Sequence, residues 1–454
     1  MLYILNQIKL NQQMQLKINN LPTCIVYAPV DCYSGYSAHS RDIVKSLIEL
    51  KGKDWDIQVM ACRWGNTPQS FIKDNFNEWG FMQEYIIPVG PLNKKPEYMI
   101  WITVPNEFQA IGNYNIGITA GIETTVCDPS WIEGCNRMDL TLVSSEHAKN
   151  TFINSKFEKK DQQGRTVGFI ELTKPVEVMF EGLDVNVYNK NNIDVNSDVY
   201  KQLESIPEKF NFLFVGHYLQ GDVGEDRKNV GMLIKVFLET FKNKPSPPSL
   251  ILKTSVGGSS IMDRDATLKK IDAIRSTVKG TLPNIYLIHG DLSDKEMNTL
   301  YNHPRVKAMV NLTKGEGFGR PLLEFSATGK PVITSNWSGH TDFLKPEFSS
   351  LIGGTLTKVH PSAAVQNVIL PESEWFTIDY PAVAMTMKDV IKDYELYRKK
   401  AIDQANHTVS NFSLQTMNSV FKKYLNNTPT YPVFKPINLP TLKKIQLPEL
   451  TKPS

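Results

Sequence analysis

The chain has 454 residues, of which 41% are hydrophobic and 21% charged, an ordinary globular composition with room for two or three domains. A formal net charge of +3 leaves no global field that would call for nucleic acid or an anionic membrane. Cys24, Cys32, Cys62, Cys127 and Cys135 form no C-x-x-C pair, so they read as reduced thiols in a cytoplasmic protein rather than a disulfide frame.

The first 20 residues, MLYILNQIKLNQQMQLKINN, are rich in Gln and Asn. They fit neither a signal peptide nor an anchor and read as an N-terminal extension. No segment of the chain approaches the ~20 apolar residues a membrane span needs. A first domain is expected over 21–205. Its strands are predicted at Thr23–Ala28, Trp55–Cys62, Tyr98–Val104, Asn115–Thr119 and Leu140–Ser144, each a short apolar, β-branched run. Helices are predicted over Ser37–Leu50 and from Ser145-Glu146 onward. Strands alternating with helices imply a parallel sheet covered on both faces. The stretch KFEKKDQQGR (Lys156–Arg165) reads as a polar, solvated loop, and residues 185–208 have a linker-like composition.

The pattern restarts at Phe210 and defines a second α/β domain over 206–385. Its strands are predicted at Phe210–Val215, Ser249–Lys253, Ile285–His289, Val306–Asn311 and Pro331–Thr334, with a helix over Asn229–Phe241. Thr386–Asn426 reads as helical with one break near Ser410, and the Pro- and Lys-rich tail 427–454 as extended, with Phe434, Leu439 and Leu447 available for packing.

One stretch carries chemistry. After the strand ending at Asn311 comes TKGEGFGRPLLEFSATGKPVI, with Glu316 and Glu324 on either side of a glycine-rich turn. Pro321 suits the first turn of a helix, which puts Glu316 on the loop and Glu324 on the helix. Both lie at the carboxyl edge of a parallel sheet, where open α/β folds bind ligands. Gly317 and Gly319 allow close backbone approach, and a helix start favours phosphate. Two carboxylates would repel a bare phosphate, whereas each can accept two hydrogen bonds from a diol. A ligand with a phosphate in the middle and a diol at each end is a nucleotide-sugar. Glu316 would hold its sugar, Glu324 its ribose, and the glycine turn its diphosphate.

The run G-E-G-F-G-R-P-L-L-E-F-S-A-T-G-K-P-V-I resembles the E-x7-E signature of family-four retaining glycosyltransferases, and the Ser338-Gly339-His340 turn fits the segment that follows it there. The resemblance implies the GT-B fold, an α/β architecture of two Rossmann-like domains facing across a cleft, with C-terminal helices (386–426) crossing back to the first domain. It implies transfer of a hexose or pentose from a nucleoside-diphosphate-sugar co-substrate to a hydroxyl acceptor with retention, no tightly bound cofactor or metal, and deprotonation of the acceptor with help from the leaving phosphate.

Residue by residue, FLFVG followed by Arg227-Lys228-Asn229 resembles the family's diphosphate-contacting segment, giving Lys228 that role with Arg227 beside it. Charge building on a leaving diphosphate needs such a cation. The family's second arginine is replaced by His217, a weak phosphate donor at neutral pH, and Lys253 is a possible substitute. His289–Asp294 resembles the base-binding loop, with Leu292 and Asp294 nearest the base. Phe318, Arg320 and Leu322 belong to the donor motif, and Gly35 stands where the family has a glycine-rich loop over the phosphates. GIETTVCDPSWIEGCNRMDLTLVSSEHAKNTF aligns Glu123, Trp131, Asn136 and Ser145 with mannosyl- and glucosyl-transferring members, and PVEVMFEGLDVNVY resembles the run that closes the first domain. His39 and His147 are the candidates for an acceptor-side histidine.

A glycan is the first acceptor expected. The alternatives are a modified nucleic-acid base, reached by a basic cleft using Lys156, Lys159, Lys160 and Arg165, and an inactive donor-binding homologue serving as a partner protein, against which the intact glutamate pair argues. A GT-B phosphorylase would need a pyridoxal-phosphate lysine site, and no motif supports one. Oligomeric state has no signature.

Overall fold

The computed structural model describes residues 21–65 and 67–431. The N-terminal extension and the tail positions Phe434, Leu439 and Leu447 lie outside them. Two parallel sheets organise the chain. The first half runs β1 (Thr23–Ala28), α1 (Gly35–Lys51), β2 (Asp56–Ala61), α2 (Phe71–Asp74), α3 (Phe76–Trp79), β3 (Ile86–Ile87), β4 (Tyr98–Ile102), β5 (Tyr114–Thr119), α4 (Pro129–Asn136), β6 (Leu140–Val143), α5 (Glu146–Asn154), β7 (Phe157–Lys160), β8 (Thr166–Ile170) and β9 (Val176–Val178). Its seven-stranded sheet has the order β3-β2-β1-β4-β5-β6-β9. The central strand β4 is buried at every residue, which is why YMIWI is continuously apolar rather than alternating.

The second half runs α6 (Asp198–Glu204), β10 (Asn211–Val215), α7 (Val230–Phe241), β11 (Ser249–Lys253), α8 (Ile261–Arg275), β12 (Ile285–Ile288), α9 (Asp294–Asn302), β13 (Val306–Asn311), α10 (Arg320–Ser326), β14 (Val332–Ser335), β15 (Ser350–Ile352), β16 (Gly354–Lys358), β17 (Glu374–Ile378), α11 (Tyr380–Lys392), α12 (Tyr394–Asn411) and α13 (Leu414–Asn426). Its six-stranded sheet has the order β12-β11-β10-β13-β14-β15. Both halves therefore reverse strand order beside their first strand, at β1/β4 and β10/β13, the places where doubly wound sheets open a ligand crevice. Helix α7 shows how the layers hold. Val230, Leu233, Ile234, Phe237, Leu238 and Phe241 are all buried against the sheet, each worth about 1.5–3 kcal/mol.

Three expectations are corrected. Lys156–Arg165 is not a loop: Phe157–Lys160 and Thr166–Ile170 pair as an antiparallel hairpin, because Phe157 and Ile170 pack beneath it against the first domain. Residues 185–208 are not a linker. Tyr188, Val199, Leu203 and Ile206 are buried with Leu213 and Met309 of the second sheet, and Asp198–Glu204 is helical. The helical stretch after Ile378 starts earlier, at Tyr380, capped by Asp379. It breaks at Phe412–Ser413, close to the break expected near Ser410, and also at Asp393.

The crossing is made by α13 alone. Helix α12 stays with the second half, where Thr408 and Ser326 hydroxyls meet at 2.8 Å. The chain then passes Leu183, whose N–H donates to Phe412 O and whose carbonyl accepts from Leu414 N–H, both at 2.8 Å. Met417, Phe421 and Leu425 of α13 close the first domain's core. No helix among the described residues is long and apolar enough to cross a membrane.

Candidate active site

A cavity of about 340 Å³ lies between the two halves, where the two strand reversals face each other. The first half contributes Gly35, Tyr36, Ala120, Glu123 and Glu181, and the second His217, Arg227, Lys228, Lys253 and Glu316–Pro321, among others.

The glycine turn explains the close fit. Gly319 has φ +100°, a backbone state that glycine alone adopts without strain, and it hands the chain to α10. A Cβ at Gly315 would lie 1.9 Å from Glu123 O, and one at Gly317 would lie 2.2 Å from Ala120 O. The glycines thus let one half's backbone touch the other's. Ser145 Oγ donates to Gly317 O at 2.6 Å and Ser144 Oγ does so at 3.1 Å. Ser145 also caps α5, so one hydroxyl both starts a helix and joins the halves.

The cations gather on the second half. Lys228 Nζ donates to Glu316 at 2.5 Å and 2.7 Å. Arg227 Nη1 lies 3.6 Å from Glu316 and 3.3 Å from Glu123 across the cleft. Burial alone would push the Glu316 carboxyl up, but Lys228 and Arg227 outweigh it and hold it below the ordinary carboxylate range. Burial pulls the Lys228 ammonium down, with Glu316 opposing. Lys253 Nζ donates to Gly290 O at 2.6 Å. His217 lies against Ser255 Oγ at 3.2 Å. Burial first, then Lys228 and Lys253, lowers its pKa, so it is neutral at pH 7.

Glu324 sits behind this wall. Its two oxygens accept from Arg320 Nε at 3.0 Å and Tyr301 OH at 2.9 Å, and it is not among the cavity-lining residues. Burial raises its pKa to about 7 against the pull of Arg320. Arg320 does line the cavity, and its Nη1 donates to Asp42 Oδ2 on α1 at 2.7 Å. An arginine fork suits this bidentate, two-domain role.

Other expected positions scatter. Leu322 is fully buried, and the Phe318 ring packs on Phe343 inside the second core, although Phe318 also borders the cavity. Leu292 packs on that same core. Asp294 opens α9, accepts from Tyr188 OH at 3.2 Å, and faces a separate cavity of about 230 Å³ shared with Phe71–Trp79. Trp131 is core, and Asn136 ties down the chain at Glu171 and Thr173. His39 and His147 lie outside the cavity, and burial pushes them down to about 3 and about 4. Lys156, Lys160 and Arg165 sit on the β7–β8 hairpin, paired with Glu171, Glu158 and Asp161. None of these, nor Lys159, lines the cavity.

Sequence reasoning did not single out Tyr36, Asp42 or Glu181. Tyr36 OH meets Thr119 Oγ1 at 2.6 Å and accepts from Ala120 N–H at 3.0 Å, which fixes the rim of the first half. Asp42 and its neighbour Arg41 are buried charges on α1, Asp42 reaching across to Arg320 and Arg41 donating to Val30 O and Cys32 O. That placement on an amphipathic helix was the available signal.

No family model matches the chain, and no curated protein matches it in sequence. Solved structures do. HepE of Anabaena in complex with UDP and glucose superposes with a TM-score of 0.57 at 13% identity, over 90% of this chain and 100% of that one. Sucrose-phosphate synthase from Thermosynechococcus elongatus gives 0.55 at 12%, over 89% and 98%. A UDP-forming trehalose-phosphate synthase from Burkholderia xenovorans gives 0.57 at 10%, over 90% and 100%. Likeness of this extent at these identities establishes architecture. Two Rossmann-like domains facing across a cleft make this a GT-B fold, as the sequence led one to expect.

Proposed function

We propose that the protein is a glycosyltransferase that moves a sugar from a nucleoside-diphosphate-sugar to a hydroxyl acceptor. The carrying observation is the meeting of Lys228, Arg227 and Lys253 with the Gly317–Gly319 turn in one cavity at the two strand reversals. Cations there stabilise the charge that builds on a departing diphosphate, and the turn brings backbone close to it. Arg227 and Lys228 take the phosphates. Glu316, held ionised by both, accepts from sugar hydroxyls. Arg320 is held in the wall by Asp42 and Glu324.

The structural neighbours named with UDP, UDP-glucose or UDP-forming chemistry make a uridine diphosphate sugar the first donor to test. Retention of configuration, as the E-x7-E resemblance implies, and a glycan acceptor complete the proposal. Calorimetric titration with UDP tests it: binding by the wild type and at least about tenfold weaker binding by Lys228→Ala are expected for a lost charge-assisted contact. Equal binding by the two would remove Lys228 from the donor site.

A further inference from the structure

Three carboxylates line the cavity: Glu123, Glu181 and Glu316. Two are committed, Glu316 to Lys228 and Glu123 to Arg227. Glu181 forms no hydrogen bond or ion pair among the described residues, yet it is only 6% exposed. A buried charge is ordinarily paired, so an unpartnered carboxyl facing a cavity marks a place for a ligand's polar group.

Its setting is rigid. Glu181 lies just past β9 on the first half, between Phe180 and Gly182, where the chain is pinned by the Leu183 hydrogen bonds to Phe412 and Leu414. A Cβ at Gly182 would lie 2.6 Å from Leu414 Cα. The charged groups around Glu181 are Arg320, Asp42, Glu324 and Glu316. Arg320 is already engaged by Asp42 and Glu324, and the other three are carboxylates. Among the described residues, none of these groups forms a hydrogen bond or ion pair with Glu181. The donor cations are on the second half, so a hydroxyl compound entering beside the first half meets Glu181.

We propose that Glu181 binds the acceptor hydroxyl and takes its proton during transfer. This rests on the donor reading above and replaces the leaving phosphate as the proton's destination. The acceptor oxygen bonds to the anomeric carbon. The bond from that carbon to the diphosphate breaks, and its electron pair leaves on the diphosphate. The acceptor proton moves to a Glu181 oxygen and passes to solvent when products depart. Burial raises the Glu181 carboxyl to about 7, with Arg320 opposing and Asp42 and Glu324 adding to the rise. A base of that strength is matched to neutral pH.

The test uses UDP-glucose with water as acceptor, following UDP release against pH. In the wild type the rate rises with pH through about 7, as Glu181 ionises. Glu181→Gln binds UDP with unchanged affinity, loses that limb and falls about 10²- to 10⁴-fold. Glu181→Ala regains rate with added formate, which a purely structural role would not allow. A Glu181→Gln enzyme with wild-type rate and pH profile, or a Glu181→Ala enzyme that formate fails to rescue, overturns the assignment while leaving the donor site standing. Failure of the wild type to bind UDP and UDP-glucose at all overturns the donor reading itself and this inference with it.

Discussion

The Lys228 ammonium sits 2.5 Å and 2.7 Å from the two oxygens of Glu316, and both residues are buried in the wall of the cleft. In the proposed function the pair sets a cation where the diphosphate leaves and keeps a carboxylate ionised for the sugar. Removing one member leaves an uncompensated charge. Glu316→Ala should abolish turnover of the donor and also cost stability, about 3 kcal/mol, the low end for breaking a buried pair because the cavity admits water. Lys228→Met with Glu316→Gln should cost less than the two single changes added together. Thermal midpoints of the four proteins decide it. Additive losses would mean that the two side chains do not act as a pair.

Arg320 and Asp42 form a second link, this time between the halves. Asp42→Asn removes the charge that draws Arg320 across. In the absence of ligand it should enlarge the radius of gyration in small-angle scattering and speed amide exchange at Gly317 and Ser145. An unchanged scattering curve with unchanged exchange would show that the halves hold together without this ion pair, through the glycine contacts and the other links between them.

Those contacts have their own test. A methyl group at Gly317 would collide with Ala120 O at 2.2 Å. Gly317→Ala should therefore hold the halves apart while each keeps its core. Donor turnover should fall by about 10², the scale expected when reacting groups are misplaced by an ångström, with little change in thermal midpoint. Wild-type turnover would mean that the touching backbones are dispensable to the reaction.

Stability should depend on pH through Glu181. Its folded pKa, about 7, lies above the unfolded value of about 4.3, so the native state holds the proton more tightly. The stabilisation this gives is complete below about pH 4 and is lost as pH rises through about 7. Glu181→Gln should match the wild type near pH 4 and exceed it by about 3–4 kcal/mol near pH 8.5. Thermal midpoints at the two pH values measure it. A constant difference would contradict the raised pKa.

Much of this fold was legible because its strands are short, apolar and buried on both faces, as at Phe210–Val215 and Tyr98–Ile102. The glycine-turn stretch was legible because Gly319, Pro321 and the two glutamates occupy positions that a loop-to-helix junction dictates. What escaped was tertiary. The β7–β8 hairpin is carried by Phe157 and Ile170 within an otherwise charged run. The segment around Tyr188–Leu203 gains its order from the second sheet, not from its own composition. The partners of Glu324 and Arg320, and the isolation of Glu181, come from residues as far apart in sequence as Asp42 and Arg320. No local pattern encodes such pairings.

The central claim is that the cleft binds a nucleoside-diphosphate-sugar and breaks it. The most direct measurement is a thermal-shift and hydrolysis screen of the full chain against UDP-, GDP-, ADP- and CDP-sugars. The account predicts that one donor raises the thermal midpoint and slowly releases its nucleoside diphosphate. No shift and no release with any of the four would contradict it, and would point to the wall around His217, Lys228 and Lys253 as one that holds no donor.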